Sequence, residues 1–360
     1  MKKMKNLTKA QKSSSLTYAV VIVAFAIMFA LKTSGSLSSK MTGMLVPICA
    51  YIVMAVSLNL VVGIMGDLSL GHAGFMSVGA FAGTIAIVSM QYNGVESAGL
   101  RLVVGIIVGA IAGAIIGFLI GIPVLRLNGD YLAIVTLAFA EIIKVLIQNM
   151  YLDLDENGFH FSMVENTNTT NLETARLIIE GPMGIRGITK ISTFVAGFIL
   201  VMVVLIVIFH FMSSRTGRAV MSIRDNRIAA ESVGIPIFKY KITTFTLSAA
   251  MAGAAGVLFA NNYSTLISAK FNIDTSILVL VFVVLGGQGN MLGSIIAATA
   301  LTILPEILRG FSDYRMLIYA IILIAVMLIS NNSQLKAAFD GLLIKLKLKK
   351  APDEEEGGKA

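Results

Sequence analysis

Apolar positions in this chain fall in long unbroken runs. Runs at 16–31, 44–65, 71–90, 101–123, 131–150, 191–212, 243–262, 275–286, 291–308 and 314–330 are separated by short polar or glycine-rich stretches. A helix needs about 20 mainly apolar residues to cross the hydrocarbon of a bilayer, so most of these runs predict membrane-spanning helices. The run 275–286 is too short to span unaided. It adjoins Gly286-Gly287-Gln288-Gly289-Asn290, which predicts a half-helix that enters the membrane and turns. The expectation is an all-α, polytopic transmembrane bundle of about ten membrane segments, within a range of eight to ten.

Composition excludes the alternatives. The chain is 56% hydrophobic and 13% charged, with a mean hydropathy of +0.86. A soluble domain carries roughly 25% charged residues, and a chain this apolar needs lipid as its solvent. The net charge of +8 does not indicate nucleic acid, because the basic residues lie in blocks beside the apolar runs. Cys49 is the only cysteine, which excludes an internal disulfide. His72, His160 and His210 are dispersed, so no metal site is expected. No G-x-x-x-x-G-K-[ST] loop occurs, so the chain is expected to bind no ATP in that way and no cofactor of its own.

Charge sets the expected orientation, because short cytoplasmic loops are rich in Lys and Arg. Residues 1–15 hold lysines and no acid, and 213–242 holds Arg215, Arg218, Arg224, Arg227, Lys239 and Lys241 against Asp225 and Glu231. Both are expected in the cytoplasm. The loop 151–190 is acidic and is expected outside. The tail 331–360 is lysine-rich and is expected inside, as a surface amphipathic helix or a solvated tail, then disordered. These assignments need two crossings in 275–308 and divide the chain into a basic tail (1–15), a membrane domain (16–330) and a C-terminal tail (331–360). The first run after the lysines also fits a cleaved signal peptide. Lys32-Thr33-Ser34 is a poor cleavage site, so an uncleaved first helix is expected.

Four features exceed or refine a plain bundle. Gly105, Gly109, Gly113 and Gly117 recur every fourth residue, a stripe for close helix packing within the subunit or between subunits. Gly66-Asp67-Leu68-Ser69-Leu70-Gly71-His72 reads either as a broken helix presenting Asp67, Ser69 and His72 to a substrate or as a cytoplasmic turn. Glu141 and Lys144 fall near the bilayer centre, as a self-neutralised pair facing the bundle interior or with Glu141 in the pathway or against a substrate ammonium. Residues 218–233 predict a short helix stopped by Gly234 and Pro236, able to dock on a soluble partner or merely to set topology.

The stretches NLVVGIMGDLSLGHAGFMSVGAFAGT (59–84), GDYLAIVTLAFAEIIK (129–144), GPMGIRG (181–187), 214–256 and LGGQGNMLGSIIAATALTILPEILR (285–309) resemble the permeases of branched-chain amino acid ABC importers, in their LivM-type branch. GDYLAIVTLAF and SRTGRA…IRDN…AAESVGI are the specific signals. The resemblance implies a subunit of a bacterial cytoplasmic-membrane importer, partnered by a second homologous permease, two cytoplasmic ATPase subunits that use ATP-Mg, and an extracytoplasmic solute-binding protein. It implies an ATPase-coupling role for Arg218, Arg224, Asp225, Ala229, Ala230, Glu231 and Gly234. The candidate pathway residues, read from the sequence and not from the resemblance, are Asp67, Ser69, His72, Thr136 and Glu141. The order Ala229-Ala230-Glu231 departs from the Glu-Ala-Ala of most ABC permeases. The stretch 153–174 matches no part of the family pattern. Urea or short amides are alternative substrates. An ion-coupled secondary transporter and a channel are the readings of another class.

Overall fold

A computed structural model of the 360-residue chain describes residues 9–127, 129–155, 158–163 and 176–308, with residues 317, 318, 320, 321 and 324. The chain divides into two compact units, 1–300 and 301–360. In the second, the described residues include Leu301 and Leu308, both buried. Residues 1–8 of the expected tail 1–15, the tail 331–360 and nearly all of the run 314–330 lie outside the described residues; from Lys9 on, the expected first tail is helical.

The helices are α1 (Lys9–Thr33), α2 (Ser39–Asn59), α3 (His72–Tyr92), α4 (Ala98–Val124), α5 (Asp130–Gln148), α6 (Phe194–Ser213), α7 (Arg215–Asp225), α8 (Arg227–Ser232), α9 (Ile237–Ala260), α10 (Ile273–Gly286) and α11 (Met291–Ile307). Eight helical stretches among the described residues are long and apolar enough to cross a membrane, and Met291–Ile307 is a shorter apolar helix. The chain is a multi-pass, all-α membrane bundle. The stretch Ser268–Gly286 is long enough to cross because a 3₁₀ turn, Ser268–Lys270, precedes α10. The sequence run at 275–286 missed these polar leading residues.

Packing follows from side-chain size. α2 is almost wholly buried from Leu45 onward, packed chiefly against α9, α6 and α10, while α3, α4 and α9 pack closely on one another. The small residues Gly79, Gly109 and Gly253 meet where these three helices cross, and a Cβ on any one would strike a neighbour's backbone. Gly105 lies against Ile87, and Gly113 and Gly117 lie against Ala249. The glycine stripe of α4 is thus occupied by helices of the same chain. Its opposite edge exposes Val103, Ile107, Ile111 and Ile115, the composition of a lipid-facing surface. α1 is peripheral and stacks on α6 through Phe25 against Phe194 and Phe198.

The segment between α5 and α6 holds strands, which the run pattern did not anticipate. β1 (Tyr151–Asp155) pairs antiparallel with β2 (Gly158–Ser162) and with β3 (Arg176–Glu180). β4 (Ile185–Arg186) pairs with β5 (Thr265–Leu266), tying this loop to the segment after α9. Buried Leu154, Ile178 and Ile179 give the small sheet its own apolar face. Burial pushes the carboxyl of Asp153 on β1 above its usual range, with His160 opposing the shift.

Candidate functional site: the break between α2 and α3 and the arm that grips it

α2 does not end cleanly. Its last residues, Leu60–Met65, form a π-helical turn, closed by Gly66 in the left-handed region at φ 81°. π turns are rare and mark functional sites. Residues 66–71 then run without helix or strand. The first residue of α3, His72, lies level with Ser57 of α2: its Nε2 and the Ser57 hydroxyl are 2.9 Å apart. Ser57 stands about 12 Å above Met65 along the helix axis. The connecting segment therefore climbs back alongside α2. Irregular backbone inside a bilayer is tolerated only where protein or a polar cavity covers it. The connection runs back along α2 and is longer than a tight turn at its end.

Protein covers it from four sides. Thr136 on α5 accepts a hydrogen bond from the Leu70 N–H at 3.1 Å, and its carbonyl lies against Gly71. Ser276 on α10 accepts from the Ala73 N–H at 3.2 Å, satisfying one free donor of α3. Lys241 on α9 donates to both carboxylate oxygens of Asp67 at 2.7 and 2.9 Å. Arg224 on α7 donates to the carbonyl of Gly63 at 2.8 Å, with its stem against Gly66. An arginine on an open helical carbonyl complements the negative end of the helix.

The turn between α10 and α11 meets the same place. Asn59 accepts from the Gly289 N–H at 2.7 Å and donates to the Asn290 carbonyl and the Ser294 hydroxyl. Gly63 has no Cβ because Gly289 occupies that space. Two buried atoms at the break lack a protein partner, Ser69 Oγ and His72 Nδ1. Ser57 donates to the Met54 carbonyl, so its oxygen accepts from His72 Nε2–H and Nδ1 is left as an open acceptor.

The structure places Asp67, Ser69 and His72 along the break and Thr136 against it, each with its own partner or, for Ser69, none, and leaves Glu141 out of these contacts. Glu141 pairs with Lys144, and the side chains are 29% and 20% exposed. The pair is largely covered by this chain without being enclosed. α5 turns Thr136, Ala140, Ile143 and Ile147 inward, and Glu141 sits on another face. Among the described residues no group of His, Cys, Asp and Glu is placed to hold a metal ion.

The expected 218–233 helix is two helices. Asn226 interrupts them with an extended backbone, and its side chain accepts from the Ala229 N–H to start α8. Ser214 caps α7 in the same way, so that helix starts at Arg215. Gly234, at φ 80°, stops α8. Of the seven residues that the resemblance assigned to coupling, Ala230 is buried against the bundle and Arg224 turns back to Gly63. Arg218 donates to the Ser213 carbonyl, Asp225 holds Arg224, and Ala229, Glu231 and Gly234 are exposed. Ile228 and Val233, 82% and 77% exposed, are the outermost apolar side chains of this arm. Helical register groups Val233 with Ala219, Ile223 and Ala230 and passes over Ile228; the interruption at Asn226 breaks that register and leaves Val233 outward.

Residues 40–328 match the family described as branched-chain amino acid transport system / permease component. The chain belongs to that family. Two relatives are the high-affinity branched-chain amino acid transport system permease proteins LivM of Salmonella typhimurium, 34% identical, and of Escherichia coli, 35% identical, each over 289 residues. Those alignments take in 77% of this chain and 66% of each relative, so the chain spans just under two thirds of their length. LivH of Salmonella typhimurium is 22% identical over 281 residues, 78% of this chain and 89% of that protein. No solved structure matches. In this member of the permease-component family, residues of the stretches 59–84, 129–144 and 214–256, and the segment 289–294, converge on the break. Asn59, Gly63, Lys241, Ser276 and Ser294 complete that convergence. A lone Asn inside the apolar run 44–65 was the signal available for the first of them.

Proposed function

We propose that the chain is the membrane-spanning subunit of an ATP-driven importer in a bacterial cytoplasmic membrane, carrying branched-chain amino acids inward. The partners in this reading are a second homologous permease, two cytoplasmic ATPase subunits that hydrolyse ATP-Mg, and an extracytoplasmic solute-binding protein. The end of the bundle bearing α7 and α8 is then cytoplasmic, and the sheet of β1–β3 faces outward. The observation that carries the reading is the arm. It offers Ile228 and Val233 to a soluble partner, while Arg224 holds the end of α2. A push on the arm reaches the break directly. Coupling needs that contact to differ between two states of the bundle.

The test is co-purification from the native membrane. An ATPase subunit and a related permease are expected to accompany the chain. Ile228→Asp with Val233→Asp is expected to remove the ATPase subunits and reduce leucine uptake at least tenfold, with the second permease retained. A chain that carries solute alone down an ion gradient overturns the reading in favour of a secondary transporter.

A further inference from the structure

A cleft of about 460 Å³ lies where α1, α6, α7 and the α10–α11 turn approach one another, a volume within the range that ligand sites occupy. The ends of two spans set its depth. Ser14 and Tyr18 line it from the start of the apolar stretch of α1, and His210 and Ser213 line it from the last turn of α6. The cleft is therefore at the boundary between hydrocarbon and headgroups, at the end of the bundle that bears the arm. Met221 of α7 and Asn290 of the turn close its other side. The lining is amphipathic: hydroxyls and an imidazole stand beside Phe209 and methionine side chains, and none of the lining residues is acidic. The charge at the rim has one sign. Arg215 and Arg218 follow Ser213 in the chain, and both are exposed. Arg218 donates to the Ser213 carbonyl at 2.7 Å, which holds its guanidinium at the wall, and no carboxylate pairs with it among the described residues. Lys9 and Lys12 lie in α1 just before Ser14, and residues 1–15 hold no acid. The carbonyls at the end of α6 would repel an anion, but they are taken. The Ser213 hydroxyl donates to those of Phe209 and His210, and the Ser214 hydroxyl to that of Phe211.

We infer that this cleft seats an anionic phospholipid of the adjoining leaflet, its phosphate beside Arg218 and Arg215 and its glycerol backbone between α1 and α6. Basic pockets between membrane helices recognise anionic headgroups on the cytoplasmic side, where the leaflet is itself negative. A soluble anion would answer the arginines and leave the apolar lining in water. A lipid answers both. The seat is separate from the break but touches what holds it. Asn290 gives its carbonyl to Asn59, and Met221 lies on the helix whose Arg224 grips Gly63. The lipid thereby joins the peripheral α1 to the arm and to the α10–α11 turn. The cytoplasmic assignment of this end rests on the permease reading, whereas the cleft and its charges do not.

The experiment uses the full chain, purified with the subunits that accompany it, in phosphatidylcholine nanodiscs doped with a photoactivatable lipid whose diazirine sits near the glycerol. Phosphatidylglycerol is expected to crosslink to residues 14–18 and 209–213 at least fivefold more than phosphatidylcholine of the same chains. Arg218→Gln is expected to lower that yield about fivefold, the loss of one cation near the headgroup. Ser14→Trp fills the cleft from a peripheral helix and is expected to abolish the crosslink in a complex that still elutes as the unaltered one does. Lys239→Gln, exposed and outside the lining, is expected to leave the yield unchanged. Equal crosslinking by the two lipids overturns the site and leaves annular lipid. A loss in Lys239→Gln as large as in Arg218→Gln overturns it in favour of diffuse surface charge. Suppression by inorganic phosphate at constant ionic strength overturns the lipid and leaves a site for a soluble anion. Crosslinking needs no transport, and nanodiscs offer both faces the same lipids. Leucine uptake in proteoliposomes is therefore read separately: uptake without selective crosslinking removes only this inference, and crosslinking without uptake removes only the permease reading.

Discussion

Asp67 and Lys241 hold the most consequential contact at the scale of single residues. Both are nearly enclosed, with side chains 14% and 10% exposed, so the bond joins the break to the first turns of α9 in a medium of low dielectric. Removing one partner of such a pair leaves a buried charge, at a cost of about 3–5 kcal/mol. Asp67→Asn is therefore expected to lower the thermal midpoint of the purified complex by several degrees and to depress uptake. Asp67→Lys with Lys241→Asp is expected to recover most of the stability. Stability recovered without uptake would show that the pair also orients the break; no loss in Asp67→Asn would show that it does neither. Asn59 makes a comparable point without charge. It bonds Gly289 and Asn290 on the α10–α11 turn and Ser294 in the first turn of α11, and an apolar replacement would leave Gly289 N–H unsatisfied.

At the scale of elements, the crossing of α3, α4 and α9 depends on missing side chains. The backbone of Gly253 touches Gly109 and Gly79 from two directions. Lipid offers helices no hydrophobic reason to associate, so close packing has to supply the attraction. A side chain there separates three helices at once, unlike an ordinary overpacked core site, which costs about 1–3 kcal/mol. Gly253→Val is expected to abolish accumulation of the folded chain, whereas Gly99→Ala, where a Cβ meets open space, is expected to leave it unchanged. Comparing detergent-extracted monodisperse protein for the two variants checks this. Equal yields would mean the crossing is not as tight as the geometry shows. The π turn belongs at this scale too. It widens the end of α2 at Gly63, which admits Gly289 on one side and leaves a carbonyl for Arg224 on the other.

At the scale of the whole molecule, the helices alternate so that residues 66–71, the α7–α8 arm and the α10–α11 turn share one end of the bundle, while the β strands and 261–272 share the other. A thiol reagent applied from the cytoplasmic side is expected to label Ser232→Cys, and one applied from outside is expected to label Met163→Cys. The reverse result would invert the proposed orientation. The amino-acid sequence by itself determined the bundle, because apolar runs long enough to cross lipid admit little else. It also determined the position of the break and the stop at Gly234, since glycine and proline punctuate a helix locally. The glycine stripe was likewise legible, but its occupants were not. Tertiary structure alone decided which helices fill that stripe. It also decided that the break sinks to the level of Ser57, that Lys241 answers Asp67 and Arg224 answers Gly63, and that Glu141 stands apart from them. Those facts join residues far apart along the chain, and hydrophobic periodicity carries no information about such pairs. Only the packed backbone fixes which buried polar groups must satisfy one another.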